Sequence, residues 1–221
     1  MLAIDLVSDL IPLVSVSDSV EQALNWMDLY RVTHLPVSDG NQYLGLVTES
    51  DLLSLPDPNT PVGKSGLLFQ DIYVIDNQHV YQVIDPVSSL RLSLMPVLSV
   101  AREYKGCITL PDLIRGIDRV TGAGQPGAIL LITMPDRDYS LTAISRIIEE
   151  NNAKVLSSYA ALAQESREIN LTVKISSTEA ASIIRSLERF GYTVRTCFLD
   201  DSQLDEFYRS RYEEFMKFMD I

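Results

Sequence analysis

Two stretches of this chain are copies of one another. Arg31 to Leu53 reads RVTHLPVSDGNQYLGLVTESDLL, and Arg91 to Ile114 reads RLSLMPVLSVAREYKGCITLPDLI. Arg31 matches Arg91, and Pro36-Val37 matches Pro96-Val97. After one extra residue in the second turn, Tyr43 matches Tyr104, Gly45 matches Gly106, Thr48 matches Thr109 and Asp51 matches Asp112. The preceding segments align as well, with Val14, Val20 and Leu24 against Val74, Val80 and Ile84. A duplication constrains the fold strongly, because both copies must adopt one order of elements and bury matching faces.

Read locally, Leu13 to Val16 is a short strand. Ser17-Asp18-Ser19 offers a helix cap, and Val20, Ala23, Leu24, Met27 and Leu29 follow at helical spacing. Leu35-Pro36-Val37 is a strand ending in a turn at Ser38-Asp39-Gly40-Asn41. Tyr43, Leu46 and Val47 mark the next strand, which stops at Thr48. Ser50 and Asp51 are read as caps, so the next helix is predicted to start at Asp51. Each copy is therefore βαββα. Pro56 to Pro61 cannot continue a helix and joins the copies. The second copy starts near Asp71, with Ile72, Val74 and Ile75 as its first strand and Val80, Val83, Ile84 and Val87 on its helix.

Gly122-Ala123-Gly124-Gln125-Pro126-Gly127 breaks the pattern and is read as a domain boundary. Beyond it come a strand (Ala128 to Thr133), a helix (Leu141, Ile144, Ile147, Ile148), a hairpin (Val155 to Leu162, Ile169 to Ile175), a second helix ended by Gly191, and a last strand (Tyr192 to Leu199). The order is βαββαβ, ferredoxin-like. Leu204, Phe207, Tyr208, Phe215, Phe218 and Met219 then recur at helical spacing, as on a helix packed on its own domain or on a dimer mate. The expected fold is mixed α/β (α+β). Its parts are a first repeat over 1–56, a second over 57–121, a ferredoxin-like domain over 127–200 and a C-terminal amphipathic helix over 201–221.

The net charge of −12 argues against long nucleic acid, whose phosphates require Lys and Arg clusters. Two cysteines, Cys107 and Cys197, sit in apolar strand-like runs and are read as reduced core residues. With two cysteines and two histidines, a Cys/His zinc site is disfavoured. No apolar run approaches the roughly 20 residues of a membrane span. The N-terminus carries Asp5 and Asp9 and does not read as a signal peptide. The expected setting is cytoplasmic.

The paired motif, an apolar residue then Pro-Val, a turn, and Gly-x-apolar-Thr-x-x-Asp, resembles the tandem repeats of the cystathionine-β-synthase (CBS) family from about Val7 to Ile117. Asp136 to Leu141, the following helix and Asn152 to Val155 resemble an ACT domain over roughly Gly127 to Asp200. Together they are similar to the CBS–ACT regulatory proteins of the acetoin-utilisation type. ACT domains sense small molecules, many of them amino acids. Here Tyr139 stands where that family has a Gly that lets ligand approach, so no amino-acid site is carried over.

The CBS resemblance implies a pair of clefts about a pseudo-twofold axis, which in that family often hold adenosine-containing ligands. It places Asp51 and Asp112 at the ribose, and Thr48 and Thr109 beside ribose and phosphate. A carboxylate can accept both hydroxyls of a cis-diol. The same Thr and Asp residues can also simply cap the following helix. His34 stands where relatives carry a phosphate-side Arg or His, though as a lone residue it also reads as a solvated strand-edge histidine. Its counterpart Leu94 cannot bind phosphate, and Glu49 would repel it.

No catalytic constellation, Walker-type loop or clustered metal ligand set is visible. The implied function is a non-catalytic ligand sensor acting through a homodimer or a partner, without a catalytic cofactor, and with AMP, ATP or S-adenosylmethionine as regulatory ligand. The alternatives are a ligand-free interaction or dimerisation scaffold, and an enzyme whose reactive group the motifs do not reveal.

Overall fold

A computed structural model describes residues 1–162 and 168–199. The helix expected over 201–221 lies outside the described residues. The chain divides into two compact units, Met1–Ile117 and from Asp118 onward.

In the first unit, the first repeat runs β1 (Val14–Ser15), α1 (Val20–Tyr30), β2 (His34–Asp39), β3 (Gln42–Thr48) and α2 (Glu49–Leu53). The second runs β4 (Val74–Ile75), α3 (Val80–Ser89), β5 (Leu94–Leu98), β6 (Tyr104–Thr109) and α4 (Leu110–Thr121). Each repeat makes a three-stranded sheet, β1-β2-β3 or β4-β5-β6, with its first pair parallel and its second antiparallel. Ser19 caps α1 by accepting the Gln22 N–H. The face of α1 carrying Val20, Ala23 and Met27 is buried, as the spacing predicts. One apolar cluster then joins both repeats, including Leu35, Val37 and Leu46 of the first and Leu94, Val97 and Ile108 of the second.

The predicted start of α2 needs correction. The helix opens at Glu49, with no intervening turn, and its cap is Thr48 rather than Ser50 or Asp51. The Thr48 hydroxyl accepts the Asp51 N–H at 3.1 Å, which leaves Asp51 in the first turn. A threonine that ends a strand can also open a helix, because its extended backbone and side-chain oxygen suit both roles.

The leading segments of the two repeats cross over. Gln70, which leads into the second repeat, pairs with Leu46 on β3 of the first: Leu46 N–H to Gln70 C=O is 2.8 Å and the reverse bond is 3.0 Å. Ser8, which leads into the first repeat, pairs in the same way with Cys107 on β6 of the second. The motif glycines stand at these crossings. In both sheets the register shifts beside them, so each marks a β-bulge. Gly45 has φ +142, and a Cβ there would lie 2.7 Å from the Gln70 carbonyl oxygen. A Cβ on Gly106 would lie 2.5 Å from Val7. The glycine of the motif thus serves both the positive φ of the bulge and the close approach of the neighbouring repeat's leading segment.

Equivalent residues meet where the repeats face each other. Tyr43 stacks on Tyr104 at 6.2 Å, Gln42 bridges to Glu103, and the Thr33 N–H donates to Ser93 Oγ. A pseudo-twofold axis passes between these pairs.

The second unit runs β7 (Ala128–Pro135), a 3₁₀ turn (Asp136–Asp138), α5 (Leu141–Glu150), β8 (Val155–Leu162), β9 (Glu168–Ile175), α6 (Ala181–Arg189) and β10 (Thr193–Phe198). Its antiparallel sheet has the order β10-β7-β9-β8, the ferredoxin-like arrangement. Leu130, Ile132, Leu171 and Val173 from the sheet pack with Ile144, Ile148, Ile183 and Leu187 from the helices. Gly191 follows α6 with φ +87, the left-handed turn expected of a helix-ending glycine. Both cysteines are free, Cys107 buried and Cys197 half-buried.

Candidate functional site

His34 opens β2 and Thr48 closes β3, and the two are direct cross-strand partners. Asp51 follows in the first turn of α2. Antiparallel pairing therefore gathers His34, Thr48 and Asp51 at one end of the sheet. The second repeat places Leu94, Thr109 and Asp112 in the same way.

The Thr-x-x-Asp spacing makes a reciprocal clasp. Thr48 Oγ1 donates to Asp51 Oδ2 at 2.7 Å while accepting the Asp51 N–H. Thr109 Oγ1 likewise donates to Asp112 Oδ2 and accepts the Asp112 N–H at 3.3 Å. A hydroxyl suits this position because it donates and accepts at once. Capping is therefore a role these residues fill, and it also fixes the direction of each carboxylate.

The two carboxylates differ in what else they touch. Asp51 is half-buried, and among the described residues no cation pairs with it. Asp112 is 8% exposed. Its Oδ2 also accepts the Thr109 N–H at 3.0 Å, and its Oδ1 accepts from the Arg115 guanidinium. The aligned copies stop one residue short of this difference: Arg115 stands three residues after Asp112, where the first repeat has Ser54.

His34 is a half-buried bridge between repeats, not a solvated strand-edge side chain. Its Nδ1 lies 3.3 Å from the Ser93 backbone nitrogen and 3.1 Å from both Ser93 Oγ and Thr33 Oγ1. A backbone N–H only donates, so Nδ1 is an acceptor and the ring proton belongs on Nε2. Burial lowers the His34 pKa below its ordinary value, against a smaller opposing pull from Asp51. The ring is therefore neutral at pH 7 and brings no positive charge to this end of the sheet. Ser93 had no sequence signal of its own; it matches Thr33 in the duplication, and only their meeting across the axis gives it a role.

Nearer the axis, Tyr43 donates its hydroxyl to the Ile72 carbonyl at 2.6 Å, and Tyr104 shares a hydrogen bond with Cys107 Sγ at 3.1 Å. Burial raises both phenols. It also pushes the Cys107 thiol up to about 12. These groups are packing partners rather than reactive ones.

A cavity of about 320 Å³ lies in the second unit, lined by Ser140, Thr142, Arg146, Phe190 and Tyr192 among others. It contains none of the predicted residues. Tyr139, beside it in sequence, is extended at φ −69. Among the described residues, no group of three or more His, Cys, Asp or Glu is placed to hold a metal, and no helix is long and apolar enough to cross a membrane.

Residues 5–57 match the CBS domain family. Inosine-5'-monophosphate dehydrogenase of Methanocaldococcus jannaschii is 25% identical over 103 residues, which is 46% of this chain and 21% of that enzyme's length. A CBS domain pair/ACT domain protein from Thermotoga maritima is similar in structure, with TM-score 0.49 and 22% identity over 54% of this chain and 98% of that one. CBSX2, solved in complex with AMP, gives TM-score 0.47 and 22% identity over 54% of this chain and 97% of that one.

Proposed function

We propose, from a chain whose first repeat is a CBS domain, that the first unit is a cytoplasmic, non-catalytic sensor of an adenosine-containing ligand. The observation that carries this reading is the Asp51 carboxylate: half-buried, aimed by Thr48, and without a cation partner among the described residues. Such a group suits the cis-diol of a ribose. Each charge-assisted bond there contributes roughly 1.5–3 kcal/mol. The ligand of choice has little phosphate charge, AMP-like or S-adenosyl-like. His34 is neutral, and Glu49 at the start of α2 opposes further negative charge. Occupancy is read out through a homodimer or a protein partner. Leu29, Leu53, Leu90 and Ile114 leave apolar surface on the helices for such contacts.

Calorimetry with AMP, S-adenosylmethionine and metal-free ATP tests the reading. AMP or the S-adenosyl compound binds tighter than ATP. At 100 times its dissociation constant it stabilises the unit by roughly 2.7 kcal/mol. Asp51→Ala removes one ribose anchor and weakens binding about tenfold to a hundredfold. Tighter ATP binding, or an Asp51→Ala variant that binds as well as the parent, overturns the specificity. No binding of any of the three overturns the sensor and leaves the scaffold.

A further inference from the structure

We infer that the two repeats carry unequal sites and that Arg115 holds the second one shut, so that each chain takes one adenosine ligand, at Asp51. The inference rests on the ligand reading above. The motif residues alone predict two equal sites, since Thr48-x-x-Asp51 and Thr109-x-x-Asp112 form the same clasp.

What separates them is the residue three positions on, Ser54 in the first repeat and Arg115 in the second. In the first repeat α2 ends at Leu53, and Ser54 turns its hydroxyl back onto the Asp51 carbonyl at 2.6 Å. In the second repeat α4 continues to Thr121, so residue 115 lies inside the helix, on the face shared by positions three apart. An arginine there reaches the carboxylate one turn back. The side chain of Asp112 is 10% exposed while that of Arg115 is 66% exposed, so the cation lies over a nearly buried anion.

Three donors then converge on the Asp112 carboxylate: the Arg115 guanidinium, the Thr109 N–H and the Thr109 hydroxyl. A ribose diol would have to displace the arginine, exchanging an ionic hydrogen bond for neutral ones. At Asp51 a diol faces one hydroxyl donor and no cation among the described residues. The strand opposite adds a second difference. His34 is a half-buried polar side chain in the first repeat, its Nδ1 taken by Ser93, whereas Leu94 is fully buried in the core and offers no polar atom.

Equilibrium dialysis of the full chain against labelled AMP tests this. The parent binds one AMP per chain. Asp112→Asn leaves that stoichiometry and affinity unchanged, while Asp51→Asn weakens binding tenfold or more. Arg115→Ser installs the first repeat's residue and raises the stoichiometry to two, and Arg115→Lys keeps it at one. If Arg115→Ser does not fold, the two aspartate variants decide the matter. Two AMP per chain in the parent, equal losses from both aspartate variants, or one AMP per chain in folded Arg115→Ser each overturn the inference and leave the adenosine reading standing. Absence of AMP binding in the parent overturns both.

Discussion

Replacing Gly45 by Ala should destabilise the first unit far more than the loss of one hydrogen atom suggests. The added Cβ would sit 2.7 Å from the Gln70 carbonyl oxygen and 2.9 Å from Phe69 Cβ, and the backbone there has φ +142. Relief requires the 69–72 segment to move off β3. That movement breaks the paired bonds between Leu46 and Gln70, at 2.8 and 3.0 Å. Each contributes about 0.5–1.5 kcal/mol net. Holding an alanine in a glycine-only region costs about 1–3 kcal/mol more. The total is about 2–6 kcal/mol. Gly40→Ala is the control: its φ is +56, and a Cβ there meets nothing within 4 Å. It carries only the left-handed cost of about 1–2 kcal/mol. Urea unfolding followed by circular dichroism reads both. With a slope of about 2 kcal/mol/M, Gly45→Ala lowers the midpoint by about 1–3 M and Gly40→Ala by less than about 1 M. A Gly45→Ala midpoint no lower than that of Gly40→Ala would refute the crossing-segment argument.

The pH dependence of stability has a definite sign. His34 is held below its ordinary value of 6.5 by burial, so the folded chain takes up its proton less readily than the unfolded chain. The stability it contributes is present in full above 6.5 and is lost as pH falls from there toward the lower folded value. Urea midpoints should drop more between pH 7.5 and pH 5.5 in the parent than in His34→Asn; equal drops would exclude His34 as the source. In a Cys197→Ser background, the remaining Cys107 should react with a disulfide reagent at pH 8 at least a hundredfold more slowly folded than in urea, because burial disfavours its thiolate. Similar rates in the two states would contradict its placement. Light scattering at micromolar concentration should give at least twice the 24.7 kDa of one chain, and a monomer mass would remove the homodimer from the proposal.

Much of the fold is local and therefore legible in the chain. Periods of 2 and 3.6, the Ser19 cap, the prolines between the repeats and Gly191 after α6 act over a few residues, so β1 to β6 and the βαββαβ order of the second unit follow from pattern alone. The duplication adds that the two halves of the first unit share one plan. Pattern leaves the start of α2 ambiguous because Thr48, Ser50 and Asp51 are all good caps. The choice among them depends on where β3 stops pairing with β2, which pattern does not specify.

What only the tertiary structure decided lies between residues far apart in the chain. Pattern shows that Gly45 and Gly106 recur, but not that each makes room for a segment crossing from the other repeat. It gives His34 a place but neither the burial that lowers its pKa nor the Ser93 N–H that donates to its Nδ1. Asp51 and Asp112 look alike within the duplicated motif, and the Arg115 that pairs with Asp112 stands just beyond it. Local propensity sets backbone dihedrals over one or two turns. Charge state and accessibility depend on which atoms share a few ångströms of space, and the packing of the two repeats determines that.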